Sequence, residues 1–118
     1  MASRFQNKLI AEGYCDTRGA AFCATVTQSP VGYGIVLLCV DGNILNLYNV
    51  DIASNVKQLL YKIELCKIKN LKIRSGFFMQ LLRFEYAGHV FSFTNFVGVK
   101  PALRVIEQEA DRDDIRTL

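Results

Sequence analysis

Long apolar runs are missing from this chain of 118 residues. The longest fully apolar run covers only residues 35–40, whereas a helix that spans a membrane needs roughly 20 apolar residues. The N-terminal residues contain no apolar stretch followed by a small-residue cleavage site, so the sequence predicts no signal peptide. We therefore expect a cytoplasmic protein that does not cross a membrane.

Residues that commonly bind metals are also scarce. His89 is the only histidine and no Cys-x-x-Cys pair occurs, so a zinc site would need unusual ligands. The even number of cysteines leaves disulfides open, but all of them lie in apolar, strand-like contexts. These cysteines are Cys15, Cys23, Cys39 and Cys66. We expect buried and reduced thiols, and we predict neither a metal nor another cofactor.

Catalytic groupings are absent from the sequence pattern as well. His89 falls at a predicted hairpin tip, and neither Glu85 nor Ser92 stands at a spacing typical of a histidine general base. Residues 111–114 contain clustered carboxylates but lack the glycine and the ligand spacing of a calcium loop. The Gly-Tyr-Gly at 32–34 is too short for a phosphate loop, and no helix is predicted after it. We predict that the protein is not an enzyme, and no small-molecule substrate is indicated.

The residues that are abundant favour one β-rich domain. Apolar residues make up 51% of the chain and charged residues 21%, and a chain of this length buries about two-thirds of its unfolded surface. Eight Phe and five Tyr, with only two Pro, favour strands. A single hydrophobic core without disulfides is therefore feasible.

Alternating apolar positions predict seven strands separated by turns. The strands are expected at residues 20–28, 33–40, 44–50, 59–66, 71–73, 79–86 and 90–94. Asp41-Gly42, which lies between two apolar runs, is typical of a tight hairpin. The apolar alternation changes parity between Ile68 and Leu71, which predicts a bulge near Lys69-Asn70.

Helical spacing occurs near both ends of the chain. An apolar helical face recurs over residues 99–110, and this helix would cover the open corner of a bent sheet. Its apolar positions are Val99, Leu103, Ile106 and Ala110. Residues 1–19 are predicted to be an N-terminal segment with a short helix that Gly13 ends, and residues 20–110 to be the domain. Residues 111–118 are expected to form a charged tail.

Four segments of this pattern resemble a pleckstrin-homology-like (PH-like) domain of the bacterial or GRAM-related kind. Residues 36–48, 63–73 and 82–93 resemble the strand segments of that family, and residues 102–110 resemble its closing helix. The resemblance implies a mainly β fold, namely a seven-stranded antiparallel bent sheet or barrel capped by one C-terminal α-helix. It also implies a scaffold that binds phosphoinositides, peptides or proteins. Members that bind phosphoinositides carry a basic cluster across the first hairpin, but residues 28–33 of this chain contain no Lys or Arg.

Charge is unevenly distributed along the chain, whose formal net charge is only +3. Seven basic residues and a single acid occupy residues 57–83, whereas five acids and two basic residues follow from residue 107 onward. One interpretation is an anion-binding face formed by Lys62, Lys67, Lys69, Lys72 and Arg74. The alternative is that these residues fill the solvent side of amphipathic strands and discourage edge pairing.

Two functions fit these features. The first is a binding or assembly module whose partner is another protein, including a second copy of the chain. Pro30, Val31 and Tyr33 would give the first hairpin an exposed apolar tip, for which packing against another subunit is favoured over insertion at a membrane interface. The second function is peripheral binding of an anionic membrane surface, or of nucleic acid, through the basic residues.

Overall fold

The computed structural model describes residues 4–32, 34–51, 55–76, 80–96 and 99–117, with the side chains of residues 6–110 within these ranges. Its helices are α1 (Arg4–Ala11) and α2 (Lys100–Thr117). The strands are β1 (Ala21–Gln28), β2 (Gly34–Asp41), β3 (Ile44–Val50), β4 (Val56–Glu64), β5 (Lys69–Ser75), β6 (Gln80–Tyr86) and β7 (His89–Thr94). A 3₁₀ turn, Leu65–Lys67, separates β4 from β5. The predicted mainly β fold with one C-terminal helix is confirmed.

All seven strands belong to one antiparallel sheet in the order β4-β3-β2-β1-β7-β6-β5. Because β1 pairs with both β2 and β7, it joins the meander of the first four strands to the meander of the last three. The sheet is bent and is not closed into a barrel. Among the described strands, β4 and β5 therefore form the two edges of the sheet.

The two tight hairpins lie where the sequence predicts them. Gly42 begins the two-residue turn between β2 and β3, and its φ of +64° is one that glycine adopts without strain. Ala87 and Gly88 form the turn between β6 and β7, with φ of +52° and +80°. Positive φ at both turn residues is typical of a type I′ hairpin, where alanine is a strained choice.

β5 contains the bulge that the change of parity predicts. Its register against β6 shifts between Lys69 and Lys72, and Asn70 in between has a φ of +54°. Asparagine tolerates this left-handed conformation better than most residues. The extra residue returns Leu71 and Ile73 to the inner side of the sheet, where both pack against the main core.

The main core fills the inner side of the bent sheet, and α2 closes it. The ring of Phe84 lies 5.3 Å from that of Phe91 and 6.1 Å from that of Phe93, measured between ring centroids. Leu103 and Ile106 reach this core from α2, and Ile106 is completely buried. Over the residues that the structure describes, neither helix has the length and apolar content that crossing a membrane requires.

A second, smaller core lies on the outer side of the sheet under α1. Leu9 packs there with Leu37 and with three cysteines, one each from β1, β2 and the loop before β1. Those residues are Cys15, Cys23 and Cys39, and all four cysteines of the chain are free. Burial raises the pKa of the Cys39 thiol. Because β2 is covered on both sides, its continuous apolar run is buried from residue 36 to residue 40.

Helix α1 ends at a motif that its glycine makes possible. The Gly13 N–H donates to the Ile10 carbonyl (3.1 Å) and the Tyr14 N–H donates to the Leu9 carbonyl (2.9 Å). This pair of bonds, with Gly13 at a φ of +83°, is a Schellman C-cap. Tyr14 and Leu9 meet in the second core, so the cap also fixes the start of the loop toward β1.

Arg18, in the loop before β1, connects three segments that are distant in sequence. Its guanidinium forms a two-pronged ion pair with Asp16, with a shortest N–O distance of 2.7 Å. It also donates to the Gly42 carbonyl (2.7 Å) and to the Glu109 carboxylate (3.0 Å). Glu109 is only 3% exposed. It lies well inside α2, because the helix continues to Thr117 through residues for which the sequence predicted a charged tail.

Candidate anion-binding face

β5 and β6 present cations on the outer side of the sheet because side chains alternate along a strand. Leu82 and Phe84 of β6 are fully buried in the main core, so Arg83 between them points outward. Lys72 of β5 pairs directly opposite Arg83 and shares that side. Arg74 lies two residues further along β5, again on the outer side, and all three cations are exposed.

These cations line an open surface cavity of about 680 Å³. Among the described residues, those that line it belong to β5 and β6: Asn70, Lys72, Arg74, Leu81, Arg83, Phe84 and Glu85. Lys69, at the start of β5, pairs opposite Glu85 and is also exposed. We refer to Lys69, Lys72, Arg74 and Arg83 as the basic face.

Few contacts within the fold neutralise the basic face. None of the ion pairs found among the described residues involves any of its four cations. Glu85 is the acid that lines the cavity, and its Oε2 accepts a hydrogen bond from Asn70 Nδ2. Like charges directly opposite each other destabilise an antiparallel pair, by roughly 0.2–1 kcal/mol. An anion bound between Lys72 and Arg83 would offset that cost.

The structure brings together some of the five predicted anion-binding residues and separates others. Lys69, Lys72 and Arg74 lie together on β5. Lys62 lies on β4, at the opposite end of the strand order from β5. It lines a different, shallow cavity of about 480 Å³, whose other lining residues are Leu59, Leu60, Tyr61, Tyr86 and Ala87. Lys67 lies in the 3₁₀ turn and forms an ion pair with Glu64 at 2.9 Å, and this hydrogen bond raises the pKa of Lys67.

Arg83 completes the basic face but is absent from the predicted set of site residues. It belongs to the run of basic residues between 57 and 83, so composition alone does detect it. Its proximity to Lys72 follows from the pairing of β5 with β6, which brings together residues eleven positions apart. Correct pairing of these two strands depends on the bulge, since a shift of one residue reverses the side to which a side chain points.

The first hairpin carries exposed apolar groups at the end of β1, two strands away from Arg83. Pro30 is exposed, and Val31 is 36% exposed, while Tyr33 lies outside the described residues. The turn begins just after Gln28, which pairs with Ser92 of β7, and Ser92 in turn pairs with Arg83. The apolar turn thus follows the end of a cross-strand row that contains Arg83 and Lys72.

The structure separates His89 from the two residues considered as its catalytic partners. It is the first residue of β7, pairs opposite Tyr86 and is exposed. By alternation His89 lies on the same side as the buried Phe91, whereas Ser92 and Glu85 lie on the other side of the sheet. Among the described contacts, His89 has no hydrogen bond or ion pair with either residue.

Within the described ranges, no group of three or more His, Cys, Asp or Glu side chains is placed to hold a metal ion. Comparison of the chain with protein-family models, with curated proteins and with solved structures finds no match. The basic face and its cavity are the arrangement of described side chains with the clearest chemical preference, which is for negative charge.

Proposed function

We propose that the protein is a non-enzymatic binding module of the PH-like type, and that its basic face binds an acidic protein partner. The order of the strands and the single closing helix support the PH-like type. The observation that carries the binding proposal is the placement of Lys72 directly opposite Arg83, with no ion pair to either among the described residues. Such a pair has a net attraction for anions.

The shape of the basic face favours a protein segment over a small anion. From Lys69 to Arg74 the face spans the four steps from Glu85 to Leu81 on the paired strand β6, or about 13 Å at roughly 3.3 Å per residue. One small anion would contact only part of that length. A second copy of the chain is one acidic partner of this kind, since residues 107–114 contain four acids besides the buried Glu109.

Binding of a fluorescently labelled, glutamate-rich peptide tests the proposal. Each exposed charge contact contributes about 0.2–1 kcal/mol, so the triple variant Lys72→Ala, Arg74→Ala, Arg83→Ala should bind about tenfold more weakly. The affinity of the wild type should also fall as salt rises from about 50 to about 200 mM.

A matched control separates the basic face from net charge. Lys8→Ala, Lys100→Ala, Arg104→Ala removes the same charge from exposed helical positions and should keep binding within about twofold of the wild type. Equal loss in both triple variants would show that the peptide responds only to overall charge. No measurable binding by the wild type would refute the proposal.

The exposed turn at Pro30 and Val31 favours a second candidate function, peripheral binding to an anionic membrane. The turn follows the end of β1, two strands from Arg83, and apolar groups together with basic residues are the combination that binds such membranes at their interface. Sedimentation with vesicles that contain phosphatidylserine distinguishes the two candidates. Membrane binding predicts that Val31→Ser weakens sedimentation with the vesicles while peptide binding is unchanged. Displacement of the bound peptide by a nucleic-acid competitor would instead indicate nucleic-acid binding.

A further inference from the structure

The edge position of β5 suggests how the acidic partner binds. Among the described strands, β5 pairs only with β6, so on its other side alternate backbone N–H and C=O groups face no strand. The residues along this edge are exposed at Lys69, Asn70, Lys72, Arg74 and Ser75. An extended segment could pair with these backbone groups as an additional strand.

The two sides of β5 would present different chemistry to such a segment. On the outer side are Lys72 and Arg74, which are exposed. On the inner side are Leu71 and Ile73, which pack against the main core but remain only half-buried. Side chains of an added strand would also point alternately to the two sides of the sheet. They would therefore contact cations on the outer side and apolar surface on the inner side.

The charges of β5 also select against pairing of two β5 edges. In a symmetric pair of β5 strands the cations of each would lie near those of the other, and like charges that face each other across strands are unfavourable. Regular pairing is further limited at one end by the bulge at Asn70. A short acidic strand is therefore favoured over a second copy of β5.

We propose that β5 takes up a short extended segment of the partner as an eighth strand of the sheet. Acidic residues at alternate positions of the segment lie beside Lys72 and Arg74, and the apolar residues between them extend the core over Leu71 and Ile73. This inference rests on the proposed function, because it specifies the form in which the acidic partner binds to the basic face.

Peptides of equal composition test the inference. One peptide alternates Glu and Val, and the other groups the same residues into a Glu block and a Val block. Strand addition predicts that the alternating peptide binds about tenfold more tightly, because only it matches both sides of β5 at once. Methylation of backbone nitrogens at alternate residues gives two isomers, and we expect one isomer to lose binding and the other to retain it.

A charge-reversed variant supplies the matching control. Lys72→Glu, Arg74→Glu, Arg83→Glu should exchange the preference from the Glu/Val peptide to a Lys/Val peptide of the same length. Equal, salt-sensitive binding of the alternating, block and methylated peptides would overturn strand addition while keeping the proposed function. Failure of every acidic peptide to bind the wild type would overturn the proposed function itself.

Discussion

Removal of the Arg18 side chain should destabilise the fold through three segments at once. The guanidinium hydrogen-bonds to Asp16, to the Gly42 carbonyl and to the nearly buried Glu109. Hydrogen bonds to charged groups contribute about 1.5–3 kcal/mol each when protected from water. Because the Arg18 side chain is 35% exposed, these contributions must be discounted for solvent screening. We expect Arg18→Ala to lower the free energy of unfolding by about 2–3 kcal/mol.

Urea unfolding followed by circular dichroism measures this loss. Arg104→Ala removes an exposed arginine of α2 that has no described ion pair, and it should stay within about 0.5 kcal/mol of the wild type. The double variant Arg18→Ala, Glu109→Gln should show a coupling of about 1 kcal/mol, because the two groups share one contact. An Arg18→Ala protein within about 0.5 kcal/mol of the wild type would refute the role assigned to this arginine.

The same arginine should determine part of the pH dependence of stability. Burial tends to raise the pKa of Asp16, but hydrogen bonds from Arg18 and from the Gly42 N–H outweigh it and lower that pKa below its usual value. A lowered pKa in the folded state gives stability that is present above about pH 4 and is lost as the pH falls through the folded pKa. The acid loss of stability should therefore be shallower in Arg18→Ala, and parallel pH profiles would contradict this account.

Three further substitutions test the fold and the basic face by urea unfolding. Ala87→Asn should stabilise the β6–β7 hairpin by about 1 kcal/mol, since asparagine accepts the positive φ of this turn; a lower stability would contradict the type I′ assignment. Ile106→Ala should cost about 2–5 kcal/mol, because the side chain is completely buried under the sheet. Arg83→Glu should raise stability by up to about 1 kcal/mol by pairing with Lys72, yet weaken peptide binding several-fold. A variant that loses both stability and binding would indicate simple unfolding.

Local patterns were sufficient to predict most of the architecture. Asp41-Gly42 indicates a hairpin because a few residues determine the positive φ of a tight turn. The bulge at Asn70 is visible as a break in alternation, since apolar residues must return to the core side. The spacing of Leu103 and Ile106 predicts the closing helix for the same reason, because one face of a helix must be buried.

Features that depend on contacts between distant residues were not predicted. Arg18 and Glu109 are separated by 91 positions, and no local pattern relates a loop arginine to a glutamate in a late helix. The charged residues from 111 to 117 indicated a tail, yet they continue α2. Lys62 and Lys67 belong to the same basic run as Lys72, but in the fold Lys62 lines a different cavity and Lys67 forms an ion pair with Glu64.

The position of Arg83 supports the proposed binding face over edge protection alone. Lysines on β5 alone could be explained as a defence of an edge strand against unwanted pairing. β6, however, lies between β5 and β7 and has no free edge to protect. Opposite Lys72, edge protection would be served equally well by an acidic residue, which would also stabilise the strand pair. An arginine there adds repulsion and increases the attraction for anions, which supports the proposed binding face.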